Sequence, residues 1–390
     1  MTTAIQPFRV SASFEQVADL RERLRRTRFP SEVEGSGWEY GTNLAYVQEL
    51  VAYWRDRFDW PMAEAALNRL PQFTAAVSGL RLHFVHARGK GPAPMPLLFS
   101  HGWPGSFWEV HKILPPLTDP AAYGDDPADA FDVVAPSLPG YGFSEDPRTP
   151  GMSPDTIADL FARLMTDTLG YPRFGAQGGD WGAVITGRLG HAHADKLFGI
   201  HMNMLGVRPH TGEGTPPLSE AERQYLAEAQ AWQQAEGGYQ AIQGTKPQTL
   251  AYALTDSPAG LAAWIVEKFR AWSDCGGDVE RRFTKDELLT NIMIYWLSGC
   301  IGSSIRLYCE SRHHPWRSAP GERIEVPTGF ARFAVEITRP PREWVERACN
   351  LQHWSDFPRG GHFAALEEPE LLVEDIRAFF RPLRRQQYLG

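Results

Sequence analysis

The chain has 390 residues, 43% of them hydrophobic, and its 39 basic and 47 acidic side chains give a formal net charge of −8. This length predicts one domain with a large core and additions to it. The acidic balance argues against nucleic acid or an anionic membrane as the main partner.

The chain shows no sign of a membrane span or a secretory signal. It has no run of about 18 apolar residues, and residues 1–9 lack the apolar core of a signal peptide. The four cysteines have no CxxC spacing, so neither a zinc site nor a disulfide framework is indicated. We therefore expect a cytoplasmic protein with reduced thiols.

The first part of the chain, residues 1–72, is predicted to be a helical leader. Apolar residues recur at helical spacing from Phe14 to Leu24 and again from Leu44 to Trp54, and Pro61 bounds the second stretch. Four arginines lie between and after the first set of apolar residues, and we interpret them as a solvated helix face. They are Arg21, Arg23, Arg25 and Arg26.

From Phe73 the pattern changes to an alternation of short apolar runs and helical stretches. A helix is predicted over Asp155–Leu169, framed by Ser153, Pro154 and Gly170. The predicted strands are Leu80–Phe84, Pro96–Ser100, Phe131–Pro136 and Phe174–Gln177. A further helix is predicted over Trp181–Leu189. This order predicts an α/β fold with a mostly parallel central sheet and right-handed crossovers.

Residues 206–320 are rich in tryptophan and helix-prone, and we interpret them as an inserted helical cap. Strand patterns return at Val326–Phe333 and Asn350–Ser355, and Glu370–Phe380 is predicted to form the closing helix. The predicted organisation is therefore a leader (1–72), a first core part (73–205), the cap (206–320) and a second core part (321–390).

The stretch Gly178-Gly179-Asp180-Trp181-Gly182 lies between a predicted strand and a predicted helix. Its glycines permit a tight turn, similar to the elbow that raises a nucleophile above the sheet in α/β-hydrolases. A carboxylate at the middle position is already charged and can act as a covalent nucleophile. The alternative is an ordinary aspartate that caps the following helix.

Asp180, Glu336 and His362 follow the order nucleophile, acid, histidine, and each comes after a predicted strand. Asp356 lies nearer to His362 in sequence and remains an alternative acid. The Gly- and Pro-rich turn 101–106 also follows a strand, where backbone N–H groups meet a ligand. The alternative for that turn is a plain loop.

Five motifs, in order along nearly the whole chain, resemble the microsomal-type epoxide hydrolase family. They are His101-Gly102-Trp103-Pro104, the elbow 178–182, Gly238-Tyr239 with Thr245-Lys246-Pro247, Ser303-Ser304-Ile305-Arg306-Leu307-Tyr308, and Gly360-Gly361-His362-Phe363-Ala364-Ala365 with Glu367-Glu368-Pro369. The leader is similar to the N-terminal meander of this family. The membrane anchor of the animal members is missing at the start, so a soluble enzyme is expected.

The resemblance implies a role for seven residues. Asp180 attacks an epoxide carbon to form an ester, while Tyr239 and Tyr308 donate hydrogen bonds to the epoxide oxygen. His362, oriented by Glu336, then activates the water that hydrolyses the ester to a vicinal diol. The backbone N–H groups of Trp103 and Trp181 are expected to form the oxyanion hole.

The resemblance also implies the partners of the protein. They are a small-molecule epoxide and water, with no metal or organic cofactor, no nucleic acid and no membrane. The oligomeric state stays open, with a homodimer as the default expectation.

Two other functions are consistent with parts of the sequence. A haloalkane dehalogenase also uses an aspartate nucleophile in this fold, and Trp103 and Trp181 could bind its halide. A hydrolase that has lost its chemistry could act as a binding module. Of the 39 basic residues 33 are arginine, which is typical of a GC-rich bacterial genome. The substrate hypothesis is therefore an epoxide from a bacterial natural-product pathway, such as enediyne assembly.

Overall fold

The computed structural model describes residues 4–316 and 318–384. The strands are β1 (Gln6–Phe8), β2 (Gln72–Val77), β3 (Leu80–Ala87), β4 (Met95–Ser100), β5 (Phe131–Pro136), β6 (Phe174–Gly178), β7 (Leu197–Met202), β8 (Ile324–Arg332) and β9 (Cys349–Asp356). Within the described residues these strands form one sheet in the order β1-β2-β3-β5-β4-β6-β7-β8-β9. In this order, neighbouring strands from β5 to β9 pair in parallel. Strands β1, β2 and β3 extend the β5 edge through antiparallel pairs. The structure confirms the mostly parallel sheet.

Helices cover the sheet and fill the stretch between β7 and β8. In the first half of the chain they are α1 (Phe14–Arg25), α2 (Leu44–Asp56), α3 (Trp60–Leu67), α4 (Leu114–Thr118), α5 (Pro154–Arg163) and α6 (Trp181–Ala192). In the second half they are α7 (Glu220–Glu236), α8 (Gly238–Gln243), α9 (Pro247–Asp256), α10 (Pro258–Trp272), α11 (Lys285–Ser298), α12 (Ile301–His313), α13 (Arg342–Ala348), α14 (Ala364–Glu367) and α15 (Pro369–Arg384).

The start of α5 shows how local chemistry sets an element. Ser153 accepts a hydrogen bond from the Thr156 N–H, and Pro154 takes the first helical position, where no N–H is needed. After α5 the chain continues as a π-helical turn, Leu164–Thr168, and Gly170 then adopts a positive φ of 75°. The predicted helix is confirmed at both ends, although its last part is wider than an α-helix.

The leader differs from the prediction in two ways. It is not wholly helical, because β1 pairs with β2 and joins the sheet. Three residues are too few to show the period-two pattern of a strand. Leu20 and Leu24 are buried, but Phe14 is 83% exposed. As the first residue of α1, Phe14 lies outside the face of the helix that packs.

The described part of the stretch between β7 and β8 holds helices α7 to α12. Helix α11 is attached to the turn after β4 by buried hydrogen bonds. Asn291 donates to the carbonyl oxygen of Pro104 at 2.8 Å and accepts from the Ser106 hydroxyl at 2.7 Å. The Tyr295 hydroxyl donates to the carbonyl oxygen of Gly105 at 2.6 Å. These contacts hold the helical stretch over the loop that follows β4.

Sequence reasoning did not identify β7, whose six residues are all buried. It pairs with both β6 and β8, so it links the two parts of the sheet. Among the described residues no single helix is long and apolar enough to cross a membrane. Helices α11 and α12 pass that test only as a pair, with a bend of 89° between them.

Candidate active site

Asp180 occupies a strained turn between β6 and α6. Its φ is 50° and its ψ is −128°, a conformation that non-glycine residues rarely adopt and that is concentrated at functional sites. A Cβ atom on Gly182 would overlap the carbonyl oxygen of Ser100, so glycine is required where α6 crosses the end of β4. The turn therefore raises the Asp180 carboxylate above the carboxyl ends of β4 and β6.

The two carboxylate oxygens of Asp180 have different partners. Oδ1 accepts a hydrogen bond from the backbone N–H of Trp103 at 2.8 Å, and Oδ2 lies 3.3 Å from Nε2 of His362. Trp181 is the first residue of α6, so its backbone N–H has no acceptor within that helix. One oxygen thus faces the backbone N–H of Trp103, while the other faces the imidazole.

His362 is held between two carboxylates. Its Nδ1 lies 2.7 Å from Oε1 of Glu336, which also accepts the Ile337 N–H at 2.7 Å. The loop of His362 is attached to the segment of Glu336, because the Val335 N–H donates to the carbonyl oxygen of Gly360 at 3.0 Å. Both side chains of the His362–Glu336 pair are buried. The imidazole ring therefore has a fixed orientation toward Asp180.

The charges around His362 determine its protonation. Burial by itself lowers the pKa of His362, but the charge of Glu336 and the hydrogen bonds to Glu336 and Asp180 outweigh it, and the net pKa lies well above the usual value. The imidazole is therefore protonated at neutral pH. Loss of the charge on Asp180 removes one of the causes that raise this pKa.

Asp356, the alternative acid, bonds to Arg332 and Trp354. It is the last residue of β9, where its carboxylate pairs with Arg332 and accepts from Nε1 of Trp354 at 2.8 Å. Burial raises its pKa, but these two hydrogen bonds and the charge of Arg332 leave the net pKa lowered. The geometry therefore favours Glu336 as the partner of His362.

Tyr239 and Tyr308 come from α8 and α12 and meet above the elbow. They are 4% and 8% exposed, and their ring centroids lie 5.8 Å apart. The ring of Tyr239 stacks on Trp103 at 5.6 Å, and the ring of Tyr308 meets Trp181 edge-on at 4.8 Å. Both phenols therefore lie over the residues that flank Asp180.

Both phenols are protonated at neutral pH. Burial raises the pKa of Tyr239 and of Tyr308, and the negative charge of Asp180 adds to the rise. The hydroxyl of Tyr239 accepts from Nε2 of Gln240 at 2.8 Å, which leaves its own proton available to another acceptor. The pair can thus donate two hydrogen bonds to an oxygen that develops negative charge.

Two sequence comparisons identify the family. Residues 5–110 match a family model described as the epoxide hydrolase N terminus, and residues 95–257 match one described as the alpha/beta hydrolase fold. The chain is 40% identical to epoxide hydrolase 1 of Oryctolagus cuniculus, over 98% of this chain and 90% of that protein. The chain belongs to the epoxide hydrolase family.

Two solved structures of epoxide hydrolases share the fold. The crystal structure of the juvenile hormone epoxide hydrolase from the silkworm Bombyx mori has a TM-score of 0.87 and 31% identity, covering 99% of this chain and 96% of that one. The epoxide hydrolase of Aspergillus niger has a TM-score of 0.86 and 31% identity, covering 97% of each chain. These comparisons confirm the predicted fold and family, and they favour epoxide opening over the haloalkane dehalogenase alternative.

Sequence reasoning missed two ionisable residues near the site of this epoxide hydrolase. Glu109 lines a cavity beside Asp180 and His362. Lys268 is buried, with its Nζ 4.6 Å from the ring centroid of Tyr239. Glu109 is an acidic residue within the otherwise apolar run Phe107–Val110, and this pattern could have indicated it from the sequence. The described residues hold no group of three or more His, Cys, Asp or Glu placed to bind a metal ion.

The two candidate acids can be separated by a pair of substitutions in this epoxide hydrolase. Glu336→Gln removes the charge beside Nδ1 of His362, so we expect kcat to fall by about 100-fold or more. The acid limb of the kcat–pH profile should also move to lower pH, because the charge of Glu336 raises the His362 pKa. Asp356→Asn should leave both quantities near those of the wild type, and the opposite pattern would make Asp356 the acid.

Proposed function

We propose that this epoxide hydrolase opens its substrate through a covalent ester on Asp180. The observation that carries the proposal is the placement of the Asp180 carboxylate. One oxygen is held by the Trp103 N–H, the other faces His362, and the two buried phenols lie above. The carboxylate nucleophile, the base that activates water and the donors for an oxyanion at Cγ of Asp180 thus lie in one site, as covalent catalysis requires.

In the first step Oδ2 of Asp180 attacks a carbon of the epoxide. The new C–O bond forms as the epoxide C–O bond breaks, and the leaving oxygen takes a proton from Tyr239 or Tyr308. An alkoxide is a poor leaving group, so two donors that strengthen their bonds as charge develops lower the barrier. The product of this step is a hydroxyalkyl ester of Asp180.

In the second step water hydrolyses that ester. Esterification removes the charge on Asp180, so the pKa of His362 falls. The imidazole then passes its proton to the tyrosinate left by the first step and can act as a base. His362 takes a proton from water, and the water oxygen adds to Cγ of Asp180. The backbone N–H groups of Trp103 and Trp181 hold the resulting oxyanion, at about 3 kcal/mol per donor. The diol leaves with the proton from His362.

The two phenols provide a test of the first step. We expect Tyr239→Phe and Tyr308→Phe each to lower the rate of ester formation about 10- to 100-fold, and the double substitution to lower it further, because each removes one charge-assisted hydrogen bond. Tyr252→Phe is a matched control, since Tyr252 is 72% exposed. Stopped-flow or quenched single turnovers measure the rate. Unchanged ester formation in the double variant would exclude this role for the phenols.

The oxygen balance of the two steps provides the deciding experiment. A single turnover of styrene oxide in ¹⁸O-labelled water should give diol with unlabelled oxygen and place the label in the peptide that contains Asp180. Both products are measured by mass spectrometry. Diol that carries solvent oxygen from the first turnover would show that Asp180 is not the nucleophile. Halide release from alkyl halides, measured in parallel, tests the dehalogenase alternative.

We also propose that the physiological substrate is an epoxide from bacterial natural-product biosynthesis. The support is the arginine-rich composition and the aromatic lining around Asp180, formed by Trp103, Tyr239 and Tyr308. Flat aromatic walls favour a substrate with a rigid apolar body. A polyketide-derived aromatic epoxide should then have a higher kcat/KM than styrene oxide. Better turnover of simple xenobiotic epoxides would contradict the proposal.

A further inference from the structure

A small cavity beside Asp180 has room for about one water molecule. Its volume is about 20 Å³, and a water molecule needs roughly 10–15 Å³ of such space. Polar groups of Asp180, His362, Glu109 and Asn203 line it, together with apolar side chains. A water needs two to four polar partners to stay in such a place, and this lining can supply them.

Glu109 reaches this cavity because of the residues before it. It lies in a short 3₁₀ turn, Phe107–His111, and a Cβ atom on Gly105 would overlap its Oε1. The absence of a side chain at position 105 therefore leaves the space that the carboxyl group occupies. Asn291 of α11 donates a hydrogen bond to Pro104 and accepts one from Ser106, and these bonds hold the same turn in place. The carboxyl group is thus fixed beside the cavity.

The environment of Glu109 keeps it protonated in the resting enzyme. Burial raises the pKa of its carboxyl group to about 8, and the charge of Asp180 adds to the rise. The charge of His362 and hydrogen bonds from the backbone of Gly102 and Ser106 oppose it. A neutral carboxyl group beside Asp180 avoids repulsion between like charges and still has an oxygen that can accept a hydrogen bond.

We propose that Glu109 holds, together with His362, the water that hydrolyses the ester on Asp180. His362 takes one hydrogen of this water as a proton, and Glu109 accepts a hydrogen bond from the other. With both hydrogens directed away, a lone pair of the water oxygen faces Cγ of Asp180. This inference rests on the proposed function, and it concerns only the second step.

The test separates ester formation from ester hydrolysis. Excess enzyme is mixed with styrene oxide, quenched with acid at intervals, and analysed by mass spectrometry for the Asp180 ester and for the diol. In Glu109→Leu we expect hydrolysis to slow about 10- to 100-fold through loss of one hydrogen bond to the water, so that the ester accumulates. Ester formation should stay within about 3-fold of the wild type, because Glu109 does not face the epoxide in this scheme.

Two further variants show whether the acceptor oxygen matters. Glu109→Gln keeps a carbonyl oxygen of similar reach and should hydrolyse the ester within about 5-fold of the wild-type rate. Glu109→Met is a second apolar replacement, and the same criteria apply to it if Glu109→Leu does not fold. Glu39→Leu, at an exposed position, is the control for loss of a carboxylate.

Three outcomes would overturn the inference. They are wild-type hydrolysis in the apolar variants, equal slowing of both steps, and a Gln variant as slow as the apolar ones. An absence of the Asp180 ester in the wild type would instead contradict the proposed function, so the two failures are distinguishable.

Discussion

Replacing Asp180 by Asn is expected to lower kcat/KM for styrene oxide by about 10⁴-fold or more. The amide has nearly the same shape as the carboxylate but carries no charge, so it is a far weaker nucleophile. Losses of this size are typical when a nucleophile is removed from a catalytic unit whose other members remain. Steady-state diol formation measures the change.

A matched control shows whether the loss of activity comes from the charge or from the fold. Asp356→Asn makes the same chemical change at the end of β9, where the carboxylate pairs with Arg332. It should retain diol formation close to the wild-type rate. Thermal unfolding of both variants shows that the fold is retained. A folded Asp180→Asn variant with substantial initial diol formation would contradict the ester mechanism.

Replacing His362 by Gln is expected to arrest the reaction at the Asp180 ester. Asp180 needs no base to attack, so the ester should still form, at a rate within about 10-fold of the wild type. Hydrolysis lacks its general base and should slow about 10²- to 10⁴-fold. Mass spectrometry should therefore find the intact protein with one substrate mass added, and kcat should fall by the same factor as hydrolysis.

His193 offers a control of the same residue type outside the site. Its Nε2 lies 2.7 Å from Oδ1 of Asp159, away from the elbow. His193→Gln should turn over at the wild-type rate without accumulating an ester. If His362→Gln failed to form the ester while remaining folded, His362 would have to act in the opening of the epoxide as well.

Much of the local structure follows from the sequence because local rules determine it. The helix that begins at Pro154 has its cap, its proline and its closing Gly170 within one stretch of chain, and the structure has all three. The elbow around Asp180 is similarly local, since the small residues beside it permit both the positive φ and the close approach of α6. Motif order was then sufficient to indicate the fold and the family.

Local rules fail where an element is short or buried on all sides. Strand β1 has three residues, and β7 is buried throughout, so neither shows an alternation of polar and apolar positions. The exposure of Phe14 is a related case, because spacing along a helix does not show where the packed face ends.

Only the tertiary structure decided which charged groups meet. Glu336 and Asp356 both follow strands, and Asp356 lies nearer to His362 in sequence. In the structure Glu336 contacts His362, while Asp356 pairs with Arg332. Glu109 comes to the cavity from a turn more than seventy residues before Asp180. The sequence by itself determined most of the elements, the elbow and the family, because these depend on neighbouring residues. The contacts within the site depend on sheet order and on the attachment of α11, which bring distant segments together.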